Sequence, residues 1–111
     1  GRERVYHLEN ILLQALDRAA HKEYKEAQTL AADFFLEVRS DMARPDMDKF
    51  TPELKAILDK SDSIKEALEK EDQSARDLMR GVMQQLARMA GPRPAPNEPP
   101  PVISVTPPPQ G

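Results

Sequence analysis

The sequence predicts an all-α fold: a four-helix up-and-down bundle of two helical hairpins, with a disordered proline-rich C-terminal tail. Three observations predict it. Apolar residues recur three or four positions apart through most of residues 1–91, which places them on one face of each helix. Signals that begin and end helices separate these stretches, and the composition changes abruptly to proline after Gly91. We therefore divide the chain into a helical bundle at 1–91 and a proline-rich tail at 92–111.

The first hairpin is predicted over residues 2–42, where the apolar stripe slips in phase near residues 21–23. Either a tight turn joins two antiparallel helices there, or one helix continues with a drifting face. We prefer the turn, because a single helix would run for roughly forty residues, far beyond the usual length. The two stripes consist of Val5, Leu8, Leu12, Ala15 and Ala19, and of Tyr24, Ala27, Ala31, Phe34, Phe35, Val38 and Met42.

Residues 40–51 form the clearest break in the chain. Pro45 cannot continue a helix, and Thr51-Pro52 is a strong start signal because Thr51 can cap free N–H groups and Pro52 has none to satisfy. The third helix should then end near residues 70–72. Its stripe consists of Leu54, Ile57, Leu58, Ile64 and Leu68.

The fourth helix should be capped by Asp72 or Ser74 and should end at Gly91-Pro92, the usual stop of glycine then proline. Short turns within each hairpin make neighbouring helices antiparallel, which is why an up-and-down bundle is the default. The stripe of this helix consists of Ala75, Leu78, Met79, Val82, Leu86 and Met89.

An open, solenoid-like pair of hairpins is the alternative arrangement. The run Tyr24-Lys25-Glu26-Ala27, after the predicted tight turn, is similar to the start of the second helix of a tetratricopeptide repeat. The second hairpin does not repeat this run, and the helix-breaking proline of such repeats is missing at its place. Tetratricopeptide-like adaptor hairpins therefore stay an alternative to the bundle.

The composition excludes several classes of function. Charged residues make up 32% of the 111 residues, the net charge is −3, and there is no run of Lys or Arg of the kind that binds nucleic acid. The absence of cysteine excludes disulfides and thiolate sites, and no apolar stretch reaches the length of a membrane span. Because the chain opens with Gly1, we expect a piece of a longer protein; an upstream signal or membrane anchor would make it periplasmic or extracytoplasmic.

Candidate catalytic and metal-binding residues do not form a recognisable site, and we expect no enzyme activity, no cofactor and no metal. His7 and His21 lie too far apart on one helix to hold one ion, and the Glu-x-x-His pattern of di-metal bundles is absent. The acids Asp41, Asp46 and Asp48 do not match the ligand spacing of a helix–loop–helix calcium site. The serines lack a nucleophile context, and the carboxylates fall mostly on polar faces.

The first helix carries a predicted partner-binding edge. Leu13 lies about 100° around the helix from Leu12 at the centre of the core stripe. Tyr6, Leu13 and Ala20, spaced by seven, line this flank, and Ile11 widens the opposite edge. So wide an apolar arc either lies between two neighbours in its own chain or contacts a second chain, by self-association or with a protein partner.

The tail offers two linear motifs. Arg93, Pro96 and Pro99 have the spacing with which an Arg and two prolines dock into a Src-homology-3 groove. The branched residues Val102, Ile103 and Val105 favour an extended strand that could add to the sheet edge of a partner. A plain linker or spacer is the alternative for the whole segment.

Taken together, these features predict a non-enzymatic helical protein-interaction or scaffold domain, as part of a larger and membrane-anchored protein. Two other classes of function stay open. A sensor-type four-helix bundle would bind a small ligand in a cavity lined by Tyr24, Phe34 or Phe35, and an enzyme would need a cleft of buried carboxylates.

Overall fold

The computed structural model describes residues 2–91. Within this range there is no β-strand, so the predicted all-α class is confirmed. The helical elements are α1 (Arg2–Ala20), α2 (Tyr24–Asp41), a 3₁₀ helix (Pro45–Phe50), α3 (Thr51–Leu58), α4 (Ser61–Glu69) and α5 (Ser74–Ala90).

A tight turn separates α1 from α2, which confirms the preferred interpretation of the phase slip. The Glu23 N–H donates to the Arg18 carbonyl at 2.8 Å and the Lys22 N–H to the Ala19 carbonyl at 3.0 Å. Lys22 has a left-handed φ of 62°. This pair of hydrogen bonds around a left-handed residue is the Schellman motif that ends helices. The chain therefore reverses within three residues, 21–23.

The turn between α4 and α5 repeats this geometry. Glu71 has a left-handed φ of 55°, and the Asp72 N–H donates to the Ala67 carbonyl at 2.9 Å. The side chain of Asp72 then accepts a hydrogen bond from the N–H of Ser74, the first residue of α5, at 2.9 Å, while the N-cap position itself is Gln73, whose side chain makes no cap bond. Both hairpins thus close with the same motif, each with a charged residue in place of glycine.

The predicted third helix differs from the observed one in two ways. It is divided into α3 and α4 at Asp59-Lys60, where the Lys60 N–H bonds to the carbonyl three residues back, on Ile57, at 3.0 Å. The prediction that Thr51 caps it was wrong. The 3₁₀ helix leads directly into α3, so Thr51 already has helical dihedrals (φ −53°, ψ −47°) and no side-chain cap forms.

The core lies where the long helices meet. α1 packs against α2 and α5, α4 packs against the same two helices, and α3 contacts α2 and α5. Each large apolar side chain buried here stabilises the fold by roughly 1.5–3 kcal/mol relative to exposure. The largest fully buried side chains are Phe34, Leu8, Leu12, Met47, Leu54, Ile57, Ile64, Leu68, Met79, Leu86, Val5 and Val38.

Candidate functional site

The predicted edge of α1 lies along a groove between α1 and α5. Tyr6 is half-buried against the core, whereas Leu13 is 55% exposed and Ala20 is exposed. The structure therefore places all three residues on the flank that their spacing predicts. Ile11, on the opposite edge, is half-buried against the core.

Two adjoining cavities make up this groove, and Leu13 lines both of them. The larger has a volume of 580 Å³ and extends toward Ala20, with Arg76 and Arg80 on the α5 side. The smaller, 370 Å³, extends from Leu13 to Tyr6, with Met83 and Ala87 opposite. We call the two cavities together the α1/α5 groove. Because it lies between two packed helices, part of its floor is fixed by the core.

Ion pairs surround the larger cavity. Arg18 donates to Glu23 at 2.9 Å and Arg80 donates to Asp77 at 3.1 Å. The hydrogen bond from Arg18 lowers the pKa of Glu23 below its ordinary value, and the same bond raises the pKa of Arg18. Both pairs are exposed to solvent. The mouth of the cavity is therefore polar and carries charges of both signs, while Leu13 and Leu16 form its apolar wall.

A second groove, between α2 and α4, was not predicted from the sequence. Leu36 is 61% exposed at its edge, and Phe35 and Leu68 lie below. Its volume is 510 Å³. We call it the α2/α4 groove. Its charged lining is mixed, with two bases and two acids: Arg39, Lys65, Asp62 and Glu69.

A partly buried ionic cluster joins the start of α1 to the end of α2. Arg4 donates to Asp41 at 2.9 and 3.1 Å and to Glu37 at 2.6 Å. Asp41 is fully buried, and its Oδ2 has no hydrogen-bond partner within the described part of the chain. The hydrogen bond with Asp41 raises the pKa of Arg4. We call this cluster the Arg4 clasp. A carboxylate is unfavourable at the negative end of a helix dipole, and the guanidinium of Arg4 offsets this cost for Asp41 at the end of α2.

The remaining candidates from the sequence are dispersed. His7 Nε2 lies 3.8 Å from Glu37 Oε1, and His21, in the turn after α1, has its Nδ1 3.5 Å from Asp17 Oδ1. Asp46 accepts hydrogen bonds from Arg44, which lowers the pKa of Asp46 to about 2. Among residues 2–91, no three His, Asp or Glu side chains are grouped closely enough to hold a metal ion.

Phe34 and Phe35 pack against each other edge to face, with ring centroids 5.0 Å apart. Phe34 is fully buried, so of the two only Phe35 lines a groove. The predicted tail motifs, Arg93, Pro96 and Pro99 and Val102, Ile103 and Val105, lie outside the described residues.

No helix of the described range is long and apolar enough to cross a membrane. Comparison of the chain with protein-family models, with curated proteins and with solved structures found no match. The two grooves and the Arg4 clasp are therefore the structural features that bear on function.

Proposed function

We propose that this chain is a non-enzymatic helical protein-interaction or scaffold domain and that it binds its partner through the α1/α5 groove. One observation carries the proposal: Leu13 is 55% exposed at the point where the two cavities of the groove meet. Covering such a side chain removes apolar surface from water, which contributes roughly 25 cal/mol for each Å² buried.

The helix contacts support a four-helix up-and-down bundle as the scaffold for this surface. α1 packs against α5, and this contact closes a ring with α2 and α4. In an open stack of hairpins each repeat contacts only its neighbours, so the first and last helices do not have to be in contact. Along the groove, residue numbers rise on α1 from Tyr6 to Ala20, while on α5 they fall from Ala87 to Arg76. This opposite order is that of antiparallel neighbours.

The experiment that tests the binding surface compares two exposed leucines. Leu13→Glu adds a charge to the α1/α5 groove, and Leu36→Glu adds one at a similarly exposed position on α2. We expect Leu13→Glu to abolish self-association or partner binding and Leu36→Glu to leave both unchanged. Light scattering gives the mass of each variant, and thermal melts followed by circular dichroism show whether the monomer stays folded.

Two results would contradict the proposal. If Leu13→Glu unfolds the chain, the leucine is needed for packing between α1 and α5 rather than for binding. If it stays folded with unchanged mass and unchanged binding, the α1/α5 groove is not the interaction surface.

A sensor-type bundle is the second candidate function, and the α2/α4 groove favours it. Its volume of 510 Å³ lies within the range of roughly 300–1,000 Å³ of small-molecule sites, and Phe35, Leu36 and Leu68 supply an apolar lining. Titration with the dye 8-anilinonaphthalene-1-sulfonate tests it. A sensor should bind the dye saturably, lose the binding on Leu36→Glu and keep it on Leu13→Glu.

A further inference from the structure

The larger cavity of the α1/α5 groove is basic in a chain that is acidic overall. Its charged lining consists of Arg18, Arg76 and Arg80 against the single acid Asp17, whereas the whole chain has a net charge of −3. Like charges gathered at one cleft raise the local concentration of a ligand of opposite sign. Glu23 and Asp77 pair with Arg18 and Arg80 beside this lining, so Arg76 is the cation of the cavity that an anionic group meets without a carboxylate partner in the range 2–91.

The arginines are free to take new partners at little cost. The pairs of Arg18 with Glu23 and of Arg80 with Asp77 are solvent-exposed, and exposed ion pairs contribute only about 0–1 kcal/mol. Arg76 is half-buried and makes no ion pair with any residue in the range 2–91. It lies in the first turn of α5, close to the positive end of the helix dipole.

The apolar part of the groove has the length of a short helix. From Tyr6 to Ala20 it follows α1 for about 21 Å, which corresponds to a partner helix of about 14 residues at 1.5 Å per residue. Leu13 and Leu16 form one wall, and Met83, whose unbranched side chain adapts to different shapes, lies on the other. Grooves between two helices are a common docking site for the apolar face of a third.

From this charge complementarity and shape, we propose that the α1/α5 groove binds an acidic amphipathic helix of another protein. Its apolar face covers Leu13 and Leu16, and its carboxylates accept hydrogen bonds from Arg76 and Arg80. The inference rests on the proposed function of the groove and adds the chemistry of the partner.

The test uses the full 111-residue chain and three fluorescein-labelled helical peptides that share one leucine stripe. Their polar faces carry glutamates, lysines or glutamines. Fluorescence anisotropy gives each dissociation constant at low and high salt. We expect the glutamate peptide to bind roughly tenfold more tightly than the glutamine peptide, and added salt to reduce this difference because the pairs are exposed.

Charge reversal then locates the contact. The double variant Arg76→Glu, Arg80→Glu should lose the preference for glutamate and bind the lysine peptide instead. It should stay folded, since Arg76 lies in the first turn of α5, where acidic residues are favoured, and Arg80 is exposed. The matched control is Lys65→Glu, a charge reversal in the α2/α4 groove, which should leave all three affinities unchanged.

The outcomes separate this inference from the proposed function. If the three peptides bind equally and Leu13→Glu abolishes their binding, the partner is not acidic but the groove is still a binding surface. Failure of every peptide to bind overturns the acidic helix as the occupant, and the mass and binding of Leu13→Glu then decide the proposed function separately. If the chain forms a dimer that Leu13→Glu dissociates, the occupant of the groove is a second copy of the chain. If deletion of residues 92–111 tightens peptide binding, the occupant is that segment of the same chain. Either result overturns the inference.

Discussion

The α1/α5 and α2/α4 grooves differ in charge although each exposes one leucine. Leu13 is 55% exposed and Leu36 is 61% exposed, so burial alone does not distinguish them. The charged lining of the groove beside Leu13 is three arginines and two acids, Asp17 and Glu9, whereas that of the groove beside Leu36 is two bases and two acids. Exposed apolar surface marks where a partner can bind, and the charges around it determine which partner.

The two sides of α1 differ in a second way. Toward α2, the Arg4 clasp fixes the start of α1 with hydrogen bonds to Glu37 and to the buried Asp41. Toward α5, the long cavities of the groove separate the outer edges of the helices. α1 packs against both neighbours, but its start is fixed to α2 by ionic contacts, whereas its outer edge toward α5 lines a groove.

The largest expected effect concerns the core beneath both grooves. Leu12 and Phe34 are fully buried, so truncation of either to Ala should lower the free energy of unfolding by roughly 2–5 kcal/mol, through lost burial and a residual cavity. Chemical denaturation measures the change. The neighbouring Leu13→Ala is the matched control and should cost less than about 1 kcal/mol, because that side chain is mostly exposed. Equal losses for Leu12 and Leu13 would show that the helical phase of α1 is wrong.

The Arg4 clasp gives the next largest effect. Arg4→Ala leaves the carboxylate of Asp41 buried without its cation, and we expect a loss of about 2 kcal/mol, as for hydrogen bonds to charged groups. The control is Arg44→Ala, which removes an exposed pair with Asp46 and should cost less than about 0.5 kcal/mol. Denaturation midpoints that match for the two variants would mean that the clasp does not hold α1 to α2.

The sequence predicted the α1/α5 edge but not the α2/α4 groove, and residue spacing explains the difference. Leu13 belongs to a row with Tyr6 and Ala20 at intervals of seven, which a helical pattern makes visible. Leu36 has Thr29 and Ala43 at the same intervals, so no apolar row surrounds it. Its groove is formed by a second helix, and only the tertiary structure brings that helix alongside.

The Arg4 clasp could not be found for the same reason, since its partners are 37 and 33 residues apart in the chain. Met47 and Phe50 are buried within a short 3₁₀ helix, which has too few residues to show a periodic pattern. The hairpin turns and the apolar stripes were predictable because they depend on local spacing. The incorrect cap at Thr51 came from treating residues 40–51 as a loop without helical structure.

A smaller effect, this time stabilising, tests whether one wall of the α1/α5 groove is rigid. Gly81 lies on the exposed side of α5, and a Cβ added there would meet no atom within 4 Å. Gly81→Ala should raise the free energy of unfolding by roughly 0.5–1 kcal/mol, because glycine loses more backbone freedom in a helix. Affinity for the glutamate peptide should stay the same. A loss of affinity together with the gain in stability would show that binding needs a deformable α5.

Deletion of residues 92–111 should have the smallest effect on folding. Among residues 2–91 the buried apolar side chains form one cluster from Val5 to Ala90, and we expect the free energy of unfolding to change by less than about 0.5 kcal/mol. Circular dichroism melts of the full and shortened chains measure this. Gly91, the residue before the deletion, lines the α1/α5 groove and does not line the α2/α4 groove. A large fall in melting temperature would show that the deleted segment packs on the helices. If Leu13→Glu in the full chain lowered the melting temperature by the same amount and Leu36→Glu did not, the deleted segment would pack in the α1/α5 groove.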